Sequence, residues 1–311
     1  MQKKLIALAV ASILAAPLAA QAGVEVYGQA RMSLDFSSNN DPVATNEESA
    51  LAVSSNKSRF GFRGDEDLGG GLKALWLFEQ GVNYDTAAWG TVNRDAYVGL
   101  GGGLGTVLAG RINTPYKMST QGMDIFVNTR GDYNAIMGMA NTEVGLTGTT
   151  HFNNRFSNSI QYLSPVMGGF KGAVAYSVAG DDLRMSTTTS KKDAFSMSGS
   201  YAQGPLSLIA AYESINSAVN DATAFKIGGT FTLGGMTTLG AIWEAADLGG
   251  TNEDRDAIYL NVAHKMNAIT LKAAFTKAGD TGNLVNTGAT QFALGAAYAL
   301  SKTTEAYPCN P

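Results

Sequence analysis

Few side chains in this 311-residue chain are of the types that carry covalent or metal chemistry. The two histidines are His151 and His264, and the single thiol is Cys309. A hydrolytic site needs a base held beside a nucleophile, yet His264 shares strand parity with the outward Ile258, Leu260 and Val262, and His151 lies in a long connection. One cysteine forms no internal disulfide, and with two histidines it does not complete a zinc site. Asp65, Glu66 and Asp67 have the oxygen donors that calcium takes, but they lack the spacing of a calcium loop and fall at an expected turn. Glu253, Asp254 and Asp256 form a second acidic group, suited to bridging divalent ions to lipid headgroups or to simple solvation. Neither G-x-G-x-x-G nor G-x-x-x-x-G-K-[ST] occurs, so nucleotide binding has no support. These residues predict no catalytic centre, no metal and no cofactor.

The arginines remain, and their chemistry is electrostatic: a guanidinium stays charged even where like charges crowd it. Their placement depends on the elements that carry them. From Gly23 onward the chain repeats segments of about ten residues with period-two alternation, the signature of a transmembrane barrel. Val24, Val26, Ala30, Met32, Leu34 and Phe36 fall on one face of the first segment, and Glu25, Gln29, Arg31, Ser33 and Asp35 on the other. The same parity returns at Phe170 to Val178, Phe195 to Tyr201, Leu206 to Tyr212, Phe225 to Leu233, Ile269 to Phe275 and Phe292 to Leu300. A soluble β-sandwich also alternates. Here, however, the second face is so rich in Ser, Gly and Ala that a sandwich core would be underfilled, whereas a wide lumen accommodates it. Tyr162, Tyr176, Tyr201, Tyr212 and Tyr298 sit near segment ends, as an interfacial girdle requires. Connections also alternate between short and long, as in a barrel threaded up and down.

Residues 1–22 read as a secretory signal: Lys3 and Lys4 precede an apolar run over 5–18, and Ala20-Gln21-Ala22 is a cleavage site. The remaining 23–311 form one expected domain. Of 22 basic residues two lie in the signal, leaving 20 against 26 acidic ones. No basic footprint for nucleic acid is present. No later stretch reaches the roughly 18 apolar residues that a membrane helix needs, so any crossing is made by strands.

One connection, 112–154, is far longer than ordinary loops, and loops of that length are usually functional or disordered. Its apolar spots Met118, Met123, Ile125, Phe126, Ile136, Met137 and Met139 suit it to pack against a wall and narrow a lumen. The segments Val26-Tyr27-Gly28-Gln29-Ala30-Arg31, Lys57 to Gly69, Asn93 to Leu100, Gly110-Arg111 and Asn154 to Tyr162 resemble, in that order, the strands and the start of the third loop of Gram-negative general diffusion porins. The resemblance covers nearly all of 23–311.

It implies an all-β antiparallel transmembrane barrel of sixteen strands with the third loop folded inside. It also implies an outer-membrane homotrimer among lipid and lipopolysaccharide, passively passing small hydrophilic solutes and ions, with 84–90 as a loop against a neighbour. In that family a basic ladder on the wall faces loop acids. The matching arginines are Arg59, Arg94 and Arg155, which parity turns inward, with Arg31, Arg63 and Lys171 on nearby lumen faces. The acidic candidates are Asp124, Asp132 and Glu143, and Arg130 would blunt their charge. Such a pairing creates a transverse field that orients dipolar solutes, although each arginine could equally brace the wall in an ion pair. A selective sugar or peptide porin would need an aromatic slide, and Trp76 and Trp89 are too few for one; a barrel adhesin or lipid-hydrolysing enzyme is a further alternative.

The ending departs from the family. Fourteen complete strands are counted to Leu300, then a fifteenth over 303–307, then Pro308-Cys309-Asn310-Pro311, whose prolines each remove a ladder donor. The expectation is a truncated or frame-shifted last hairpin, with a fourteen-stranded barrel closed by 292–300 against the first strand as the alternative.

Overall fold

The computed structural model describes residues 23–38, 49–138, 152–178, 193–216, 221–249 and 254–310. The signal segment, its cleavage site, Met139, Glu143 and His151 lie outside these residues.

The first two segments each form a pair of strands: β1 (Gly23–Gln29) and β2 (Met32–Ser38), then β3 (Ser49–Ser55) and β4 (Arg59–Gly69). β5 (Leu72–Asn83), β6 (Ala88–Gly102) and β7 (Gly105–Asn113) follow, and after the long loop come β8 (Arg155–Leu163), β9 (Phe170–Val178), β10 (Asp193–Gln203) and β11 (Leu206–Asn216). β12 (Asp221–Leu233), β13 (Thr237–Asp247), β14 (Asp254–Met266), β15 (Ile269–Ala278) and β16 (Ala289–Ala299) complete the long strands, and β17 (Glu305–Ala306) and β18 (Cys309–Asn310) end the chain's ladder. Among the described residues of the loop lie one helix, α1 (Pro115–Gln121), and a single turn of 3-10 helix at Tyr133–Ala135.

Consecutive strands pair antiparallel in one sixteen-stranded sheet, and β2 and β3 form a hairpin of their own. That hairpin continues the β1–β4 ladder across a bulge. Met32 opposes Ser55 while Gln29 opposes Arg59, so 56–58 stand against only Ala30 and Arg31, and Lys57 takes φ +53° to absorb the extra residue. With β1–β2 and β3–β4 each counted as one wall strand, fourteen long strands result, as the alternation predicts.

Val24, Leu34, Val98, Ile160, Phe292 and Leu294 are all exposed on the outer face. A water-soluble sheet would cover such a surface, whereas the outer face of a transmembrane barrel meets hydrocarbon. Tyr162, Tyr176 and Tyr298 are exposed near strand ends. The triplet Asp65 to Asp67 is in strand β4 rather than at a turn, because β4 runs on to Gly69; Asp65 pairs with Leu75 and takes an ion pair from Lys73 at 3.1 Å.

The tail differs from expectation. Tyr298 opposes Ala306 and Leu294 opposes Asn310 in a single register, and Ala296 N donates to the Pro308 carbonyl at 3.2 Å. Pro308 deletes one donor without ending the strand, because no further strand pairs beyond it and its carbonyl still bonds. β16 therefore takes the tail as its neighbour rather than the first strand. Among the described residues β1 pairs only with β4, and no ladder joins it to β16, β17 or β18.

Candidate functional site

Barrel interiors have no conventional core, and here the buried clusters form where the loop meets the wall. Met123, Phe126, Tyr133, Ile136 and Met137 pack on Ile209, Ile242, Tyr259, Ala274 and Ala293. A second cluster joins Tyr116, Phe152 and Phe156 to Ala194, Ala211, Ile215 and Ala222. The apolar spots in the loop thus seat it against β10–β16, whose inner face is small enough to admit it. Met118 is the exception and stays half exposed.

Polar contacts fix the seat. Thr114 caps α1 by accepting from Lys117 N, and Pro115 opens the helix where no N–H is required. Tyr116 N donates to Ser196 Oγ at 2.9 Å, and its hydroxyl donates to Glu244 at 2.7 Å. Lys226 Nζ stands 3.8 Å over the Tyr116 ring and donates to Thr120 at 2.8 Å and Asn153 at 2.6 Å. Glu213, Lys226 and Glu244 are all nearly inaccessible. Sequence reasoning passed over them, although each is a charged residue at inward parity beside Tyr212, Phe225 or Trp243.

Across the lumen stands the basic wall. Arg59 Nε lies 3.3 Å from Glu79, Arg94 pairs with the other oxygen of the same carboxylate, and Tyr27 donates to it at 2.9 Å. Arg155 Nε lies 3.1 Å from Asp95, which also accepts from Asn113 N and Nδ2. Arg31 donates to the Val127 carbonyl of the loop at 2.7 Å, and among the described residues it has no carboxylate partner. Arg59 feels the charges of Arg94 and Arg31, and Arg155 that of Arg94, so the four form one electrostatic group.

The expectation that parity turns Arg94 inward is corrected here, since Arg94 differs in parity from the inward Tyr97. The ladder shifts by one residue between Phe78–Ala96 and Gln80–Asn93. This bulge turns both inward, Arg94 to Glu79 and Asp95 to Arg155, which is how bulges re-aim side chains. A second shift between Gly110 and Ile112 adjusts β7 to β8. Gly110 sits there at φ +146°, and a Cβ would lie 2.2 Å from the Ala96 carbonyl.

The other expected residues part company. Arg63 lines the same space but makes a two-pronged exposed pair with Glu25 at 2.8 and 2.9 Å, which balances its charge. Lys171 is exposed with no ion-pair partner among the described residues. Asp132 bonds Lys57 at 3.3 Å and caps the 3-10 turn through Asn134 N. Burial alone would raise its pKa, but Lys57 and the Asn128 and Asn134 amides hold it below the usual carboxylate range. Asp124 faces Tyr259 on the far wall, and burial, with Asp132 beside it, pushes its carboxyl up to about 8. Neither loop acid bonds the arginine group. Arg130 is drawn to Asp35 at 3.6 Å. Burial, then the Arg155 charge, brings the Lys117 ammonium down to about 7.

Between the arginine wall, loop residues 125–129 and the tail is an open space of about 1210 Å³.

A Gram-negative porin family model matches residues 7–307. Major outer membrane protein P.IB of Neisseria gonorrhoeae is 34% identical over 181 residues, covering 57% of this chain and 48% of that protein. Its Neisseria sicca counterpart is 33% identical over 181 residues, with 57% and 47% covered. The chain thus spans about half the length of the curated relatives it matches. An anion-selective porin from Comamonas acidovorans shares the fold, with a TM-score of 0.75, 22% identity, 92% of this chain and 87% of that one covered. A loop L8 deletion mutant of OmpT, an outer membrane protein of Vibrio cholerae, superposes with a TM-score of 0.68 at 19% identity, covering 92% of each.

Proposed function

We propose that this chain, which belongs to the Gram-negative porin family, forms a water-filled channel through the outer membrane for passive passage of small hydrophilic solutes and ions, as a homotrimer. The observation that carries this reading is the space between the wall and the loop, lined by Arg31, Arg59, Arg63 and Glu79. No chemical step is required of it.

Selectivity follows from the charges at that waist. Four guanidiniums, of Arg31, Arg59, Arg94 and Arg155, face two carboxylates, Glu79 and Asp95. The surplus is positive, and arginine does not lose it at any physiological pH. Asp124 is largely protonated at neutral pH, and Lys57 takes the charge of Asp132, so the loop supplies little opposing charge. The waist therefore favours anions more than it builds a strong transverse field.

Single-channel conductance in a planar bilayer under a potassium chloride gradient tests both parts. Ohmic steps with a reversal potential of anion sign are expected, moving toward cations when Arg59, Arg94 and Arg155 are all changed to Gln. Folded protein that conducts nothing would sink the channel, and an unmoved reversal potential would sink the arginine account.

A further inference from the structure

We propose a solute subsite on the other side of α1 from the loop tip, selective for a flat apolar carboxylate that has a hydrogen-bond donor at its opposite end. It rests on the channel reading only in that solutes must reach the lumen. The site is a recess of about 320 Å³, within the range of small-molecule pockets.

Most inward positions are Ser, Gly, Ala or charged, yet here Leu77, Leu108 and Leu163 from β5, β7 and β8 line one cavity with Pro115 and Met118 of the helix. Leu77 and Leu108 have inward parity, so these are not side chains turned to lipid. An apolar lining inside an aqueous passage rewards a ligand that removes it from water.

Two polar groups mark the ends of the recess. Lys171 is exposed at its rim with no ion-pair partner among the described residues, so its ammonium is available to an anion. Gln161 lies deeper, directly opposite Leu108 in the ladder and only 4% exposed, and its Oε1 has no hydrogen-bond partner. A buried acceptor left unpaired is costly, and a ligand donor satisfies it. The two positions are about four residues apart along neighbouring strands, roughly 13 Å at the backbone, a span that the long lysine stem shortens. A carboxylate at Lys171, a ring over Leu108 and Leu163, and a hydroxyl donating to Gln161 match this order. 4-Hydroxybenzoate is the corresponding probe.

Calorimetric titration of the refolded full chain in detergent micelles compares 4-hydroxybenzoate, benzoate and acetate. We expect saturable binding of the first, about 3- to 10-fold weaker binding of benzoate for the lost hydrogen bond, and none of acetate. Lys171→Gln should weaken 4-hydroxybenzoate about tenfold, and Ser198→Phe, which fills the recess, should abolish its binding. Equal binding of all three anions, or 4-hydroxybenzoate binding unchanged in Lys171→Gln, overturns the site. If Lys171→Gln does not fold, Ser198→Phe decides: retained binding overturns the proposal and its loss supports it. Conductance of the same preparation separates the two readings, because binding without conduction refutes the channel alone and conduction without binding refutes the subsite alone.

Discussion

Glu79→Gln isolates the electrostatic argument, because Glu79 alone stands between two guanidiniums. It is 6% exposed, touches Arg59 at 3.3 Å and Arg94, and accepts from Tyr27. The substitution keeps the shape and removes one negative charge. An ion passing about 8 Å away would feel that change as roughly 0.5 kcal/mol in bulk-like water and about 2 kcal/mol at an effective dielectric near 20. The permeability of a monovalent anion should therefore rise, and that of a cation fall, about 2- to 30-fold each, so that their ratio rises by the square of that factor. Arg59→Gln should lower it by a similar factor. Reversal potentials read the ratio directly, and both effects should shrink as salt rises above about 0.1 M, where the Debye length falls below about 10 Å. Breaking a buried ion pair also costs about 3–5 kcal/mol where solvent does not relieve it, visible as a lower thermal midpoint. If the two variants destabilise the protein yet move the ratio in the same direction, or not at all, the arginines are only braces and the selectivity argument fails.

Asp124 gives a pH-dependent outcome. Burial raises its folded-state pKa to about 8, far above the ordinary carboxylate value, so its contribution to stability is fully present below about pH 4 and is lost as pH rises through about 8. Asp124→Asn should flatten that slope, worth on the order of a few kcal/mol, in thermal midpoints measured from pH 5 to 9. Lys226→Met leaves Glu213 and Glu244 buried without their cation, which costs about 3–5 kcal/mol; the loop should then be cut by added protease within 114–138, while the wild-type loop resists. Gly110→Ala places a methyl against the Ala96 carbonyl and should cost about 1–3 kcal/mol, measured as a fall in the thermal midpoint of strand circular dichroism.

Period two was enough to read the wall, since it sets which side chains meet water and which meet lipid, and the strand bounds around the long loop differ from expectation by a residue or so. It could not read Arg94, because a bulge of one residue reverses parity and leaves no trace in composition. Gly110 and the neighbouring Arg94-Asp95 pair acquire meaning only once the register is known. Glu213, Lys226 and Glu244 were visible as inward charges, but their partners come from a loop more than 70 residues distant, so alternation could not tell a lumen charge from a buried clamp. Resemblance named Arg59, Arg94 and Arg155 together, and in the structure Arg59 and Arg155 each feel the charge of Arg94. It did not predict that Asp124 would face the far wall, because packing of Phe126 and Met123, rather than charge, orients that stretch of loop.

That orientation explains why the two sides of the lumen differ. The loop's apolar side chains and the Lys226 clamp bind it to β10–β16, and the clamp consumes Lys226, Thr120 and Asn153, polar groups that would otherwise face the passage. On the opposite side Asp132 is taken by Lys57, and what the loop offers Arg31 is the Val127 carbonyl. A carbonyl orients a guanidinium without cancelling its charge, whereas a carboxylate would do both. In the channel proposed above, the waist is narrow and positively charged at once: the loop supplies the constriction by packing, the wall supplies the charge by register, and the bulge at Arg94 brings the two to the same level.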